Sequence, residues 1–205
     1  MTWPAWTGLA KEEDDSGPKV LTPKDKIEQL RELTKKGPAM TPEMQEKVSA
    51  ELAHGIPNEQ DPMLRGQILR TLAVYKTDIA GKVLAAGVKD KDHNVRIAAC
   101  EAWGVRGGPQ APEILGAALA HDESLDVRLA AARGLGKVAH PNAIAPLGHA
   151  LDDPDPAMQH RVMLSLKEAS GRDYGGDVGA WREFVNGGQP PVPEESFAQR
   201  FWKLF

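Results

Sequence analysis

An all-α solenoid of about four to five helical hairpins, with irregular N- and C-terminal tails, is the fold class this sequence predicts. Three observations carry it. The phrase Val95-Arg96-Ile97-Ala98-Ala99-Cys100-Glu101-Ala102-Trp103-Gly104 returns 32 residues later as Val127-Arg128-Leu129-Ala130-Ala131-Ala132-Arg133-Gly134-Leu135-Gly136. Within the phrases, Val95, Ala98, Ala99 and Ala102, then Val127, Ala130, Ala131 and Gly134, fall at i, i+3, i+4, i+7, one apolar stripe per helix. A second apolar face follows each phrase, Leu115 with Leu119 and then Leu147 with Leu151, so the repeating unit is a pair of short helices. Helices this short are marginal alone, and stacking has to supply their stability.

Residues 1–22 read as a flexible lead-in, since Lys11 to Pro23 is acidic and carries Pro and Gly. Residues 23–186 read as the solenoid, and 187–205 as a Pro-rich linker with a short aromatic amphipathic tail. Pro23 suits a first helical position, and Ile27, Leu30 and Leu33 form a narrow stripe before Lys35, Lys36, Gly37 and Pro38 stop the helix. The first hairpin opens with Thr41 as N-cap, Pro42 in the first turn and Met44, Val48, Leu52 and Ile56 on one face. After a turn from Pro57 to Asp61 comes Leu64 to Leu72, with Arg65 preceding Arg96 by 31 residues. The next helix runs from about Thr77 to Val88, with Val83, Leu84 and Val88 facing inward.

The two phrase helices are expected to end at Gly104 and Gly136, each glycine serving as a C-cap, with Trp103 and Leu135 filling the core before it. Leu72, Trp103, Leu135 and Leu166 share one register position, which reads Trp103 as core. After Asp153-Pro154-Asp155-Pro156 the Val-Arg pair becomes Met158-Gln159, the change of face expected of a terminal repeat. Val178, Trp181, Phe184 and Val185 make a closing helix.

A leucine-bearing helix, an Asp in the turn, then Val-Arg-x-Ala-Ala-x-x-x-Leu-Gly resembles the HEAT repeat, in its short bacterial form also known from phycobilin lyases, over roughly residues 42 to 170. The resemblance implies that Arg65, Arg96 and Arg128 are structural ladder arginines pairing with turn acids such as Asp90 or Asp92, Asp122 and Asp153. It also implies that the arginine-bearing helices line a concave side where another protein or peptide binds, with Arg70, Glu101, Arg133 and Lys137 the outward positions. Asp173-Tyr174-Gly175-x-Asp177-x-x-x-Trp181 is similar to the end of bacterial HEAT-repeat proteins of unassigned function. A non-catalytic interaction scaffold is therefore the expected function. The alternatives are a lyase-type, small-molecule-handling protein and an envelope-associated adaptor.

Composition sharpens the exclusions. Lys plus Arg is 25 against Asp plus Glu 29, a net charge of −4, which argues against a nucleic-acid sleeve. The single cysteine, Cys100, allows no internal disulfide and aligns with Ala132, a small packed position. The six histidines are scattered without metal-ligand spacing, and no His is followed by Glu, unlike the HEAT-type iron hydroxylases. Gly134-x-Gly136-x-x-Ala139 closes a helix rather than following a strand, so it is no dinucleotide fingerprint. No catalytic residue, metal or cofactor is expected, and the reading is a monomer. Met1 to Ala10 lacks the features of a secretory signal and no stretch is long enough to span a membrane, so a cytoplasmic location is expected by default, with envelope association as the alternative.

The tail keeps three readings. Ser196 can cap a helix on which Phe197, Phe201, Leu204 and Phe205 share a face, and with Trp202 these residues are candidate partner contacts. The segment folds back on the solenoid, docks a partner, or touches a membrane surface. Removing residues 189–205 is expected to leave the repeats folded, because solenoid units need only their neighbours.

Overall fold

The computed structural model describes residues 22–138 and 140–192. The expectations for 1–21, for residue 139 and for the tail with Phe197, Phe201, Trp202, Leu204 and Phe205 lie outside the described residues. Among the described residues the chain is all-α, an α-solenoid of ten α-helices with no strand. These are α1 (Pro23–Lys36), α2 (Pro42–Gly55), α3 (Pro62–Leu72), α4 (Asp78–Gly87), α5 (His93–Arg106), α6 (Ala111–His121), α7 (Leu125–Lys137), α8 (Ile144–His149), α9 (Pro156–Ser170) and α10 (Val178–Val185). Short 3₁₀ turns follow α1, α2 and α8, and another precedes α8. Residues divide into two compact units, Met1–Ala102 and Trp103–Phe205.

In the first unit each start has a chemical reason. Thr22 and Asp25 form a capping box, the Asp25 N–H donating to Thr22 Oγ1 at 3.2 Å and the Thr22 N–H to Asp25 Oδ2 at 3.0 Å. Thr41, Asp61 and Thr77 cap α2, α3 and α4 with side-chain oxygens, and prolines open α1, α2 and α3. Helix α1 packs on α3, where Tyr75 OH donates to Leu33 O at 2.8 Å and Thr34 Oγ1 meets Thr71 Oγ1 at 3.0 Å. It therefore takes the place of a second-type helix, one that belongs before the first hairpin. Helix α2 packs on α4, sealed by Thr77 Oγ1 donating to the buried Ser49 Oγ at 2.8 Å. Met44, expected on the inner face of α2, is 43% exposed, while Val48, Ser49 and Leu52 are buried. Similarly, Leu84 is buried but Val83 and Val88 are only half-buried, because Ala80, Gly81 and Gly87 take the tighter positions.

In the second unit α7 packs on α6 and α9, α6 on α8, and α8 on α9 and α10. First-type helices stack on first-type helices and second-type on second-type. Leu33, Leu72, Trp103, Leu135 and Leu166 hold one recurring position across the chain and are all buried. Trp103 is the one aromatic in that series, and its Nε1 is buried with no hydrogen-bond partner among the described residues. The leucines at equivalent positions bring no polar atom, so a repeat built on them supplies no acceptor there.

Gly104 and Gly136 do not end helices. Both lie inside α5 and α7, and their role is close approach of backbones. A Cβ on Gly104 would stand 2.9 Å from Gly134 Cα, and one on Gly136 would stand 3.0 Å from Ser165 Cα. The real stop for α5 is Gly107 at φ +63, whose N–H donates to Trp103 O at 2.8 Å. Gly104→Ala should thus lose about 1 to 2 kcal/mol, overpacking against a backbone outweighing the helix-propensity gain of about 1. Gly55→Ala, with open space around its site, should be neutral or slightly stabilising. Denaturant midpoints of the two variants make the comparison, and equal shifts would contradict the close approach.

Helix α10 closes the described array. Trp181 is fully buried, donates from Nε1 to Gly175 O at 3.0 Å, and stacks edge-on against Tyr174 with centroids 4.9 Å apart. Gly148 of α8 faces Val185 so closely that any Cβ there would collide, so glycine lets α10 dock. The end of α10 is a Schellman turn, with Gly187 (φ +88) donating to Phe184 O and Gly188 to Glu183 O. Pro190, just beyond, is buried.

Candidate functional site

Two sets of charged side chains bear on the site, one inside the turns and one exposed on α3, α5 and α7. The inner set repeats from turn to turn. Arg65 Nε donates to Asp90 Oδ2 at 2.9 Å and Nη2 to Asp90 Oδ1 at 2.8 Å, while Nη1 reaches Gln60 O at 3.0 Å in its own turn. Arg96 Nη1 donates to Asp90 O and Arg128 Nη1 to Asp122 O, both at 3.1 Å. Arg128 also lies 3.9 Å from Asp153 Oδ2. Each acid in turn accepts the N–H two residues on, Asp90 from Asp92, Asp122 from Ser124 and Asp153 from Asp155, each at 2.9 Å.

Arg65 and Arg128 therefore each tie their own turn and reach forward one repeat. Asp90, not Asp92, is the carboxylate Arg65 uses; Asp92 caps α5 instead, accepting the Asn94 N–H at 2.8 Å. Lys26 and Glu59 extend the same pattern at 3.4 Å, a pair sequence reasoning missed because both residues depart from the Arg and Asp of the later turns. At the far end Gln159 Nε2 keeps the bond within its own turn, to Asp153 O at 2.9 Å.

Electrostatics follow the geometry. Burial alone would push the Asp90 carboxyl up, but the Arg65 hydrogen bonds, the Asp92 N–H and the charges of Arg65 and Lys91 together hold it below its ordinary value. The Arg65 guanidinium is raised in return, chiefly by its hydrogen bonds to Asp90.

The outer set lies on α3, α5 and α7. In the first unit Arg70 and Glu101 are brought together, Arg70 Nη2 standing 3.0 Å from Glu101 Oε2, with 45% and 38% of the two side chains exposed. In the second unit Arg133 and Lys137 are both exposed, one turn apart on α7, while Ala130, Ala131, Ala132, Gly134, Leu135 and Gly136 between and beside them are buried. Two exposed apolar side chains were not singled out from sequence, Met63 at 68% on α3 and Val105 at 59% on α5. Both sit next to core residues in the chain, so composition alone could not separate them.

Among the described residues no group of three or more His, Cys, Asp and Glu is placed to hold a metal ion. No described helix is long and apolar enough to cross a membrane. Cys100 is fully buried.

Comparison with curated proteins finds no match. The family model for HEAT repeats matches residues 49–128 and 112–174, well over half of the 205-residue chain. With the recurring helix pairs and turn arginines already described, that match places this chain in the HEAT-repeat family.

Proposed function

We propose that the protein is a non-catalytic interaction scaffold whose protein partner docks on the open face of the second-type helices. HEAT repeats generally mediate protein interaction. The observation that carries the reading is Arg133 with Lys137, two exposed cations one turn apart on a helix whose neighbouring residues Ala130, Ala131, Ala132, Gly134, Leu135 and Gly136 are buried. Stacking makes no use of either charge, so their contribution is free for a ligand. Arg70 and Glu101 hold the corresponding face of the first unit, where mutual pairing makes them a register-setting pair rather than a source of net charge.

The test is capture of the partner from the native cell by wild-type protein and by an Arg133→Glu/Lys137→Glu variant. The reversal should leave the melting transition within about 0.5 kcal/mol of wild type, as surface substitutions do. It should also weaken capture at least about tenfold, and the loss should shrink at high salt, where exposed charges are screened. Capture of the same partner by both proteins would remove these residues from the interface. A chromophore or other small molecule copurifying with the protein would move the reading to the small-molecule-handling class.

A further inference from the structure

We propose that the outward side of α9 is a docking face whose occupant is this chain's own segment 194–205, which carries the sequence spacing of a second-type helix. The inference concerns the architecture of the second unit and stands independently of the partner reading.

Four observations converge. First, α10 packs on α8 as α8 packs on α6, which makes it a first-type helix. Every earlier first-type helix, α2, α4, α6 and α8, is followed by its second helix; among the described residues α10 is not. Second, the outward side of α9 is only partly covered. Leu30, Leu69, Cys100 and Ala132 share one register position and are all 0% exposed, whereas Met163 at that position of α9 is only half-buried.

Third, the apolar register positions of the second helices recur with one spacing. They are Leu64, Ile68, Leu69, Leu72; Val95, Ala99, Cys100, Trp103; Val127, Ala131, Ala132, Leu135; and Met158, Val162, Met163, Leu166. Downstream of α10 that spacing is met by Phe197, Phe201, Trp202, Phe205. Fourth, both halves of the turn ladder disappear together at this junction. The acids Glu59, Asp90, Asp122 and Asp153 each stand five residues before the first core position of their helix, and the equivalent residue before Phe197 is Val192. The residue that would reach forward to it is Gln159 in place of arginine. An arginine facing Val192 would have no carboxylate to meet, so this junction relies on apolar area. Pro190 is buried just past α10, while Pro191 and Val192 after it are exposed.

The register supplies its own probe. Lys167 and Leu204 occupy the positions that Thr34 and Thr71 hold in α1 and α3, where the two hydroxyl oxygens lie 3.0 Å apart. The full-length Lys167→Cys/Leu204→Cys variant should form a disulfide within one chain under mild oxidation, at a rate independent of protein concentration. In the full chain Phe201→Asp should lower the melting midpoint by at least about 5 °C, whereas Lys203→Ala leaves it unchanged.

Two thiols that stay free would overturn the proposal. So would a disulfide that forms only between chains as concentration rises, which would seat the segment on a second copy. Vesicles of phosphatidylglycerol that shield Trp202 from a quencher and suppress the disulfide would overturn it in favour of a membrane surface. An unchanged midpoint for Phe201→Asp would do so regardless of the cross-link.

Discussion

Leu135→Ala is expected to cost about 2 to 5 kcal/mol, while Lys137→Ala, two residues along the same helix, shifts stability by less than about 0.5. Leu135 is 0% exposed and holds the position shared with Leu33, Leu72, Trp103 and Leu166; Lys137 is exposed. The cost should lie toward the upper end because the void left by the leucine has little to collapse into. Its immediate neighbours in α7 are Gly134, already in backbone contact range of Gly104, and Gly136, equally close to Ser165. A helix pinned by glycine contacts on both sides cannot shift to fill a cavity without creating another. Urea unfolding followed by helical circular dichroism provides the measurement. Equal midpoint shifts for the two variants would contradict the register on which every later assignment depends.

That register was legible because it repeats. The 31- and 32-residue steps from Arg65 to Arg96 to Arg128 mark the core positions Leu72, Trp103 and Leu135 from sequence. What was not legible depended on contacts between helices. Helix α1 was legible as the opening helix of the solenoid, but its stacking on α3 was not, because Lys26 stands where later helices carry Arg, Glu59 stands where later turns carry Asp, and Leu33 precedes Leu72 by 39 residues. Gly104 and Gly136 looked like C-caps because they end an apolar run, yet the property used is their lack of a Cβ against a neighbouring backbone. Met44 matched the inner stripe by spacing, but no first-type helix precedes α2 among the described residues to cover it. On the candidate surface, Arg70 and Glu101 were singled out separately. That they satisfy one another is visible only when α3 and α5 lie side by side. The partner's identity has no such signature, because stacking leaves the open positions unconstrained.

Arg65→Ala should be the most damaging of the charge deletions, at about 3 kcal/mol, because it strands a largely shielded carboxylate as well as removing donors. Arg65 keeps only 8% of its side chain exposed and Asp90 18%, and the guanidinium is also the partner of two turn carbonyls, Glu59 O and Gln60 O. The loss should depend on pH in a defined direction. Asp90 is held below its ordinary value in the fold, so its contribution is present above about pH 4, the unfolded carboxyl range, and is lost as pH falls through the lowered folded value. Without Arg65, burial acts on Asp90 with only the Asp92 N–H and Lys91 to oppose it, and its carboxyl must rise. The gap between wild type and variant should therefore be widest near neutrality and narrow in acid, where both proteins carry a neutral Asp90. Replacing both partners by apolar residues, Arg65→Met with Asp90→Leu, should recover much of the loss, since no charge is then left unpaired. Denaturant titrations of the three proteins between pH 3 and 8 test this, and a gap that stays constant across that range would mean that Asp90 does not depend on Arg65 for its charge.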